Sequence, residues 1–294
     1  MKMPPAGSHG GDGLRVALAL GLDPASILDL SQSLNPVAPD PRSIVAAHLD
    51  ALARYPDPTK AHHALAAAMN VDPDRLLLTN GGAEAIALVA RGLGGSVVEP
   101  EFSLHPRGTG PRWRSNPNSP SGLLALPEER AAVWDEAFYA LATGEWTRGD
   151  DAIVVGSLTK VLACPGLRVG YVLAEPSIIE TCCRQQPEWS LNGLAAAALP
   201  DLLDELDLAD SVKRIRKLRE QLRAVFVEHG FTVHPSDANW LLVDATGLRE
   251  ALAPQGIVVR DCASFGLHGI TRVAVPNESG LARLSEALET LRRN

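Results

Sequence analysis

The chain has 294 residues, a net charge of −8 and a pI near 5.5, with 46% hydrophobic and 21% charged residues. That length exceeds a usual single domain, so two domains or one large one are expected. The acidic balance gives no sign of a general affinity for nucleic acid or anionic membrane. The four cysteines, Cys164, Cys182, Cys183 and Cys262, show neither C-x-x-C spacing nor a paired secretory framework. No charged-then-apolar leader opens the chain and no apolar run reaches about 18 residues, so a cytoplasmic protein is expected.

The stretch through Pro41 is rich in Gly, Pro, Asp and Ser, broken by Leu14 to Leu20 and by Ile27 to Leu30, and reads as a loop-rich arm. Ser43 to Leu52 reads as a helix, Tyr55-Pro56-Asp57-Pro58 as a turn, and Lys60 to Met69 as a second helix. Leu76 to Thr79 reads as a short buried strand, and Gly81-Gly82-Ala83 opens a helix running to about Leu93. Strand, glycine turn, helix is the order that phosphate sites favour. Val97 to Glu99, Ala131 to Trp134 and Ile153 to Val155 are the next strands; short apolar strands between helices indicate a mostly parallel, covered sheet. After Ser190 a helical region runs through Lys213 to Val227, with Lys213 to Lys217 as a solvated basic face. Phe231 to Val233, Asn239 to Val243, Gly256 to Arg260 and Thr271 to Val275 read as strands of a second α+β layer, closed by a helix from Gly280 to Arg292.

One segment carries chemistry. Ser157-Leu158-Thr159-Lys160 follows the apolar run Ala152 to Gly156, and Pro165-Gly166-Leu167-Arg168-Val169-Gly170-Tyr171 sets an arginine eight residues beyond the lysine. A lysine flanked by apolar residues loses hydration that stabilises its charge, which lowers its pKa and frees a lone pair for a Schiff base with an aldehyde. Ser157 and Thr159 add hydroxyl donors, and Arg168 adds a planar fork that matches phosphate oxygens. An aldehyde carrying a phosphate fits them all. With five lysines against twenty-two arginines, composition alone does not put a lysine here. The segment resembles the cofactor-lysine motif of fold-type I pyridoxal-phosphate (PLP) enzymes, the aminotransferase superfamily. That resemblance implies an α/β fold with a mostly parallel central sheet in a large domain and a smaller α+β domain. It also implies PLP on Lys160 and no metal.

Other motifs take roles under the same resemblance. Gly82 and Ala83, at a helix start, would offer bare N–H groups to the cofactor phosphate at the positive end of the helix dipole. Asp135, in Asp135-Glu136-Ala137-Phe138, resembles the carboxylate that keeps the pyridine nitrogen protonated, the state in which PLP draws electrons. Asn116-Pro117-Asn118-Ser119-Pro120-Ser121-Gly122 resembles the family's N-P-N-N-P-T-G loop, whose second adjacent asparagine donates to the phenolic oxygen. Here that position is Ser119, a shorter donor, with Asn118 or a water as replacement. Phe138 lacks the hydroxyl that some relatives place there. Tyr55 resembles the tyrosine that reaches the neighbouring subunit's cofactor phosphate, which implies a homodimer with a shared site. Arg272 matches the arginine that grips the substrate α-carboxylate.

Between Leu93 and Asn116 there is no room for a full strand-helix-strand unit of about 30 residues, so the large domain is abridged near 102–115. Aligning Glu99 to His105 puts His105 where relatives stack an aromatic on the cofactor ring, with Phe102 as a rival. Arg107, Arg112 and Arg114 read as loop charges, with contact to an anionic substrate as the alternative. The expected limits are 1–45 for an N-terminal arm with part of the small domain, 46–205 for the large PLP-binding domain and 206–294 for the C-terminal small domain. His9-Gly10-Gly11, Leu30 to Pro36 and Arg184 to Asn192 resemble the threonine-phosphate decarboxylase branch of cobalamin synthesis, itself close to histidinol-phosphate aminotransferases. That branch implies His9, Gly10, Asn35 and Asn192 on the substrate side. Decarboxylation of L-threonine O-3-phosphate is the main expectation. A histidinol-phosphate-type aminotransferase using 2-oxoglutarate or glutamate is the alternative, and Ser119 with the abridged domain motivates a third, a degenerate protein that binds without turnover.

Overall fold

The structure is a computed structural model that describes residues 3–7, 9–149 and 152–293; the outer domain limits, residues 1 and 294, lie outside them. The arm forms α1 (Gly13–Leu20) and β1 (Leu28–Asp29). Then come α2 (Pro41–Ala47), α3 (Thr59–Met69), β2 (Leu76–Thr79) and α4 (Gly82–Leu93). The centre of the chain supplies β3 (Trp113–Ser115), β4 (Val133–Asp135), α5 (Tyr139–Thr143), β5 (Ile153–Ser157), α6 (Leu158–Val161) and β6 (Gly170–Leu173). Pro176 at the first turn starts α7 (Pro176–Cys183), and the Asn192 side chain caps α8 (Gly193–Asp204) by accepting from Ala195 N. Asp207 caps α9 (Leu208–Glu228) in the same way. The chain ends with β7 (Trp240–Asp244), α10 (Leu248–Leu252), β8 (Ile257–Val258), β9 (Arg260–Asp261), β10 (Ile270–Ala274) and α11 (Glu278–Arg293).

The large sheet has the order β2-β6-β5-β4-β3. β3, β4 and β5 are parallel, and β6 runs against both β5 and β2, so four of the five strands point one way. Its residues alternate between two cores, as a period of two demands. Leu78, Trp134, Val154 and Tyr171 face α3 and α8, while Val133, Val155 and Val172 face α4 and α7. Covering both faces is what lets the strands read as continuous apolar runs.

The second body is the antiparallel sheet β7-β10-β9, beside the parallel pair β1 and β8. The arm is therefore stitched to the C-terminal end of the chain. α9 joins the two bodies: Ile215 sits in the large core, and Leu218, Leu222 and Phe226, on the same helical stripe, fill the small one with Leu284 and Leu288 of α11. Lys213, Arg214, Arg216 and Lys217 lie on its exposed face. α2 packs on α8, with Ile44 and Val45 against the large core.

Several expected elements differ. Val97 to Glu99 forms no strand; only Ser96 makes a parallel bridge, to Arg112, because Pro100 lacks a ladder donor and no return strand follows. Phe231 to Val233 reduces to a bridge between Val233 and Val243. The expected helix from Ser43 breaks at His48 into a 3-10 turn, Leu49–Ala53. β3, β6, α5, α7 and α10 were not anticipated. No helix among the described residues is long and apolar enough to cross a membrane.

β6 crosses the turn before α4 so closely that a Cβ on Gly170 would meet Gly81 C at 2.4 Å and Gly82 N at 2.5 Å, both backbone atoms. Gly92, exposed in the last turn of α4, has nothing nearer its missing Cβ than a flexible glutamine at 3.8 Å. The same substitution should therefore act with opposite sign. In urea unfolding, Gly170→Ala is expected to cost about 1–3 kcal/mol by overpacking, and Gly92→Ala to stabilise by about 0.5–1 kcal/mol through helix propensity.

Candidate active site

The C-terminal ends of β4 and β5, the start of α4 and strands from the second body enclose a cavity of about 200 Å³. At one end stands a cradle for an anion. Gly81, with φ +76°, precedes α4, and Gly82 and Ala83 open its first turn on the cavity wall. The first N–H groups of a helix have no intrahelical partner and favour an anion. The Arg168 guanidinium lies over the turn, where a Cβ on Gly81 would come within 2.4 Å of Nη2. Arg168 itself adopts φ +59° and donates from Nη1 to Pro165 O at 3.2 Å. Ser157 and Thr159 complete the cradle, their hydroxyls 2.8 Å apart.

Lys160 leaves α6 into the same cavity, its Nζ 5.9 Å from the centre of the Phe138 ring. Burial, followed by the charges of Arg272, Arg168 and Arg260, pushes its pKa down to about 8. Asn35 N donates to Lys160 O at 2.9 Å and Asn35 Nδ2 to Val161 O at 3.0 Å, so the arm fixes the backbone that carries the lysine. Asn35 does not line the cavity. Asn192 does not line it either: its Nδ2 donates to Leu167 O at 2.7 Å, bracing the loop that presents Arg168.

Opposite the cradle, Asp135 ends β4 on the cavity wall. Its Oδ1 accepts from Ala137 N at 3.0 Å, and its Oδ2 accepts from His105 Nε2 at 2.9 Å. His105 is thus behind the carboxylate, buried, and not on the cavity wall. Phe102 is on the wall instead, edge-on to His105 with centroids 5.6 Å apart. The expectation that His105 stacks on a ring in the cavity is corrected by this geometry: two residues of loop, Ser103 and Leu104, separate the two aromatics, and the loop turns the histidine inward. Ser119 lines the cavity, its N donating to Ser115 Oγ at 2.7 Å. Asn118 points elsewhere, to Pro100 O and to the Ser121 hydroxyl, and does not replace it. Arg107 pairs with Glu99, and Arg112 and Arg114 with Glu129, as loop charges do.

The third wall comes from the second body and the arm. Arg272 on β10, buried, packs its guanidinium 5.0 Å from the Trp240 ring. Arg260 on β9 stands directly opposite it in the strand register and also lines the cavity. Sequence reasoning missed Arg260; the signal was an arginine closing the apolar run Ile257-Val258-Val259. Like charges across a strand pair repel, and burial with Arg260's charge holds the Arg272 guanidinium below its usual pKa. His9 and Gly10 reach the same wall, with His9 6.0 Å from Phe102. Gly10 is required there, since a Cβ would lie 1.9 Å from Ser31 O. Tyr55 is 78% exposed, stacked on Trp189 at 4.6 Å, outside this cavity.

Fold and site together define a fold-type I PLP enzyme. Residues 116–288 match the family model for aminotransferase class I and II, and the chain belongs to that PLP-dependent family. A histidinol-phosphate aminotransferase of Pseudomonas fluorescens is 30% identical over 93% of this chain and 91% of its own length. A threonine-phosphate decarboxylase of Salmonella typhimurium is 30% identical over 97% of this chain and 96% of its own. Those alignments run over 336 and 356 positions, more than the chain contains, so both relatives carry segments that it lacks. A histidinol-phosphate aminotransferase of Sinorhizobium meliloti, solved in complex with pyridoxal-5'-phosphate, superposes with a TM-score of 0.80 at 16% identity over 95% of each chain, a likeness of fold. Family membership leaves the non-catalytic reading without support.

The Lys160 amine supplies a pH test on the apoprotein. Its folded pKa of about 8 lies below the ordinary 10.5, so below pH 8 the folded state carries a charge that the unfolded chain hydrates better. Between pH 8 and 10.5 the unfolded chain binds the extra proton, and wild-type stability rises with pH. Lys160→Met apoprotein should therefore show a higher urea midpoint than wild type at pH 7, with the difference shrinking as pH rises to 10.5. A pH-independent difference would contradict the burial of the amine.

Proposed function

We propose that the chain is an aminotransferase for a small phosphorylated amine, of the histidinol-phosphate type, with glutamate or 2-oxoglutarate as the partner substrate. The observation that carries the reading is the second cationic wall: Arg260 and Arg272 stand opposite each other in strand register and both line the cavity, on a different sheet from the Gly82–Arg168 cradle. One phosphate belongs to the cofactor, and the other anion is the substrate's. The relatives named as histidinol-phosphate aminotransferases support transamination over the decarboxylation expected from the sequence. Decarboxylation of threonine phosphate stays as the second reading, favoured by the Salmonella typhimurium relative's cover of 97% of the chain.

The residues present fit PLP. Gly82, Ala83, Ser157, Thr159 and Arg168 would hold its phosphate, Asp135 would keep its ring nitrogen protonated, Phe102 would cover a ring face and Ser119 would donate to its phenolic oxygen. Bound there, the cofactor supplies an electron sink for charge that develops at the substrate Cα. The chain's own work is proton transfer and alignment. Lys160, with its pKa down at about 8, is poised to take a proton from Cα and return one as general base and acid. Arg272 and Arg260 hold the substrate anion, which fixes the Cα bond that faces Lys160. His9 and Gly10 close the substrate side. Tyr55, exposed in one subunit, would complete the cradle of a second copy, making a cytoplasmic homodimer.

With PLP bound, incubation with histidinol phosphate is expected to yield glutamate only when 2-oxoglutarate is present. Carbon dioxide released from threonine phosphate without a keto acid would overturn transamination in favour of the second reading. Mixing Lys160→Ala with Tyr55→Phe subunits tests the shared site: activity should exceed that of either variant alone, because one site of the hybrid is intact.

A further inference from the structure

Glu101 is a buried carboxylate, 2% exposed, and it does not line the cavity. A carboxylate out of water is costly unless its oxygens are hydrogen-bonded. Here the donors come from three separate pieces of the site. Phe102 N donates to Oε1 at 2.8 Å, Ser115 N donates to Oε2 at 3.0 Å while the Ser115 hydroxyl donates to Oε1, and Asn118 Nδ2 approaches Oε2 at 3.4 Å. Those groups belong to the Phe102 wall, the end of β3 and the loop that presents Ser119. Behind them His105 Nδ1, buried and without a hydrogen-bond partner, faces Glu101 Oε1 at 3.8 Å, while Nε2 meets Asp135 at 2.9 Å.

We infer that Glu101 is a positioning residue of the active site: its carboxylate ties the Phe102 wall to the end of β3 and sets the orientation of His105 behind Asp135. The inference rests on the reading that Asp135 meets the cofactor ring. Its physical basis is the missing sheet edge. Residues 97–99 make no ladder beyond the Ser96–Arg112 bridge, so the backbone beside β3 is not held by a full neighbouring strand. A side-chain carboxylate does that work instead, at the point where three wall segments meet. Its charge also selects the ring flip of His105. With carboxylates on both sides, the favoured flip points a nitrogen at each, and the alternative would turn a C–H toward each of them.

Glu101→Gln keeps the shape while removing the charge and one acceptor. In apoprotein labelled at the histidine rings, the His105 resonance, assigned by its absence from His105→Asn, is expected to shift in Glu101→Gln. Ser115→Ala, which keeps the carboxylate charge and removes one of its donors, should shift it by less. In the PLP-loaded enzyme, kcat for Glu101→Gln should fall about tenfold, the scale of losing an outer-shell partner, with KM changed by no more than roughly twofold because the residue touches no substrate. A His105 resonance unmoved in both variants overturns the proposal, as does a loss confined to KM. Wild-type protein that takes up no PLP would overturn the functional reading instead, and the apoprotein resonance still decides whether Glu101 holds His105.

Discussion

Four cations converge on one small cavity: Lys160, Arg168, Arg260 and Arg272, two of them directly opposite each other on adjacent strands. Cations withdrawn from water are unfavourable unless anions meet them. Among the described residues Asp135 is the carboxylate on the wall, and Asp29 acts on Lys160 only as its weakest influence. That gathering of positive charge favours an anionic ligand. It also explains why the lysine is depressed: burial comes first, and the three guanidiniums add to it.

Holding that arrangement is a backbone problem. The cradle exists because β6 passes the Gly81–Gly82 turn at a distance that admits no Cβ, and because Gly156 leaves room for the Tyr171 ring, which a Cβ would meet at 2.2 Å. Arg168 then comes off a left-handed residue straight over the turn. Asn35 and Asn192 brace the lysine and the arginine from behind, through carbonyls of their own loops. The second pair of cations arrives with a different sheet, so the cavity depends on α9, whose single stripe of apolar residues fills both cores.

Legibility in the sequence followed locality. Lys160, Arg168, Asp135 and Gly82 were readable because each sits in a contiguous motif whose chemistry needs no distant partner. Arg260 was not, since its role exists only once the β9–β10 register sets it against Arg272. The path of residues 99–105 is not legible for a related reason: a short loop carries two aromatics, and which one faces the cavity depends on the buried carboxylates Glu101 and Asp135 that draw His105 inward. Asn118 likewise looked available as a donor until the turn committed it to Ser121 and Pro100. β3 and β6, only three and four residues long, leave too little periodicity to separate strand from loop. The abridged edge was legible as a shortage of residues, but how the chain closes it was not.

Two anionic groups are proposed for this cavity, one at the Gly82–Arg168 cradle and one between Arg260 and Arg272. A crystal structure of the enzyme with PLP and a phosphorylated amine tests this most directly. The cofactor phosphate is expected against Gly82, Ser157 and Arg168, and the substrate phosphate between Arg260 and Arg272. A substrate phosphate placed elsewhere, with the Arg260–Arg272 pair left without an anion, would contradict it.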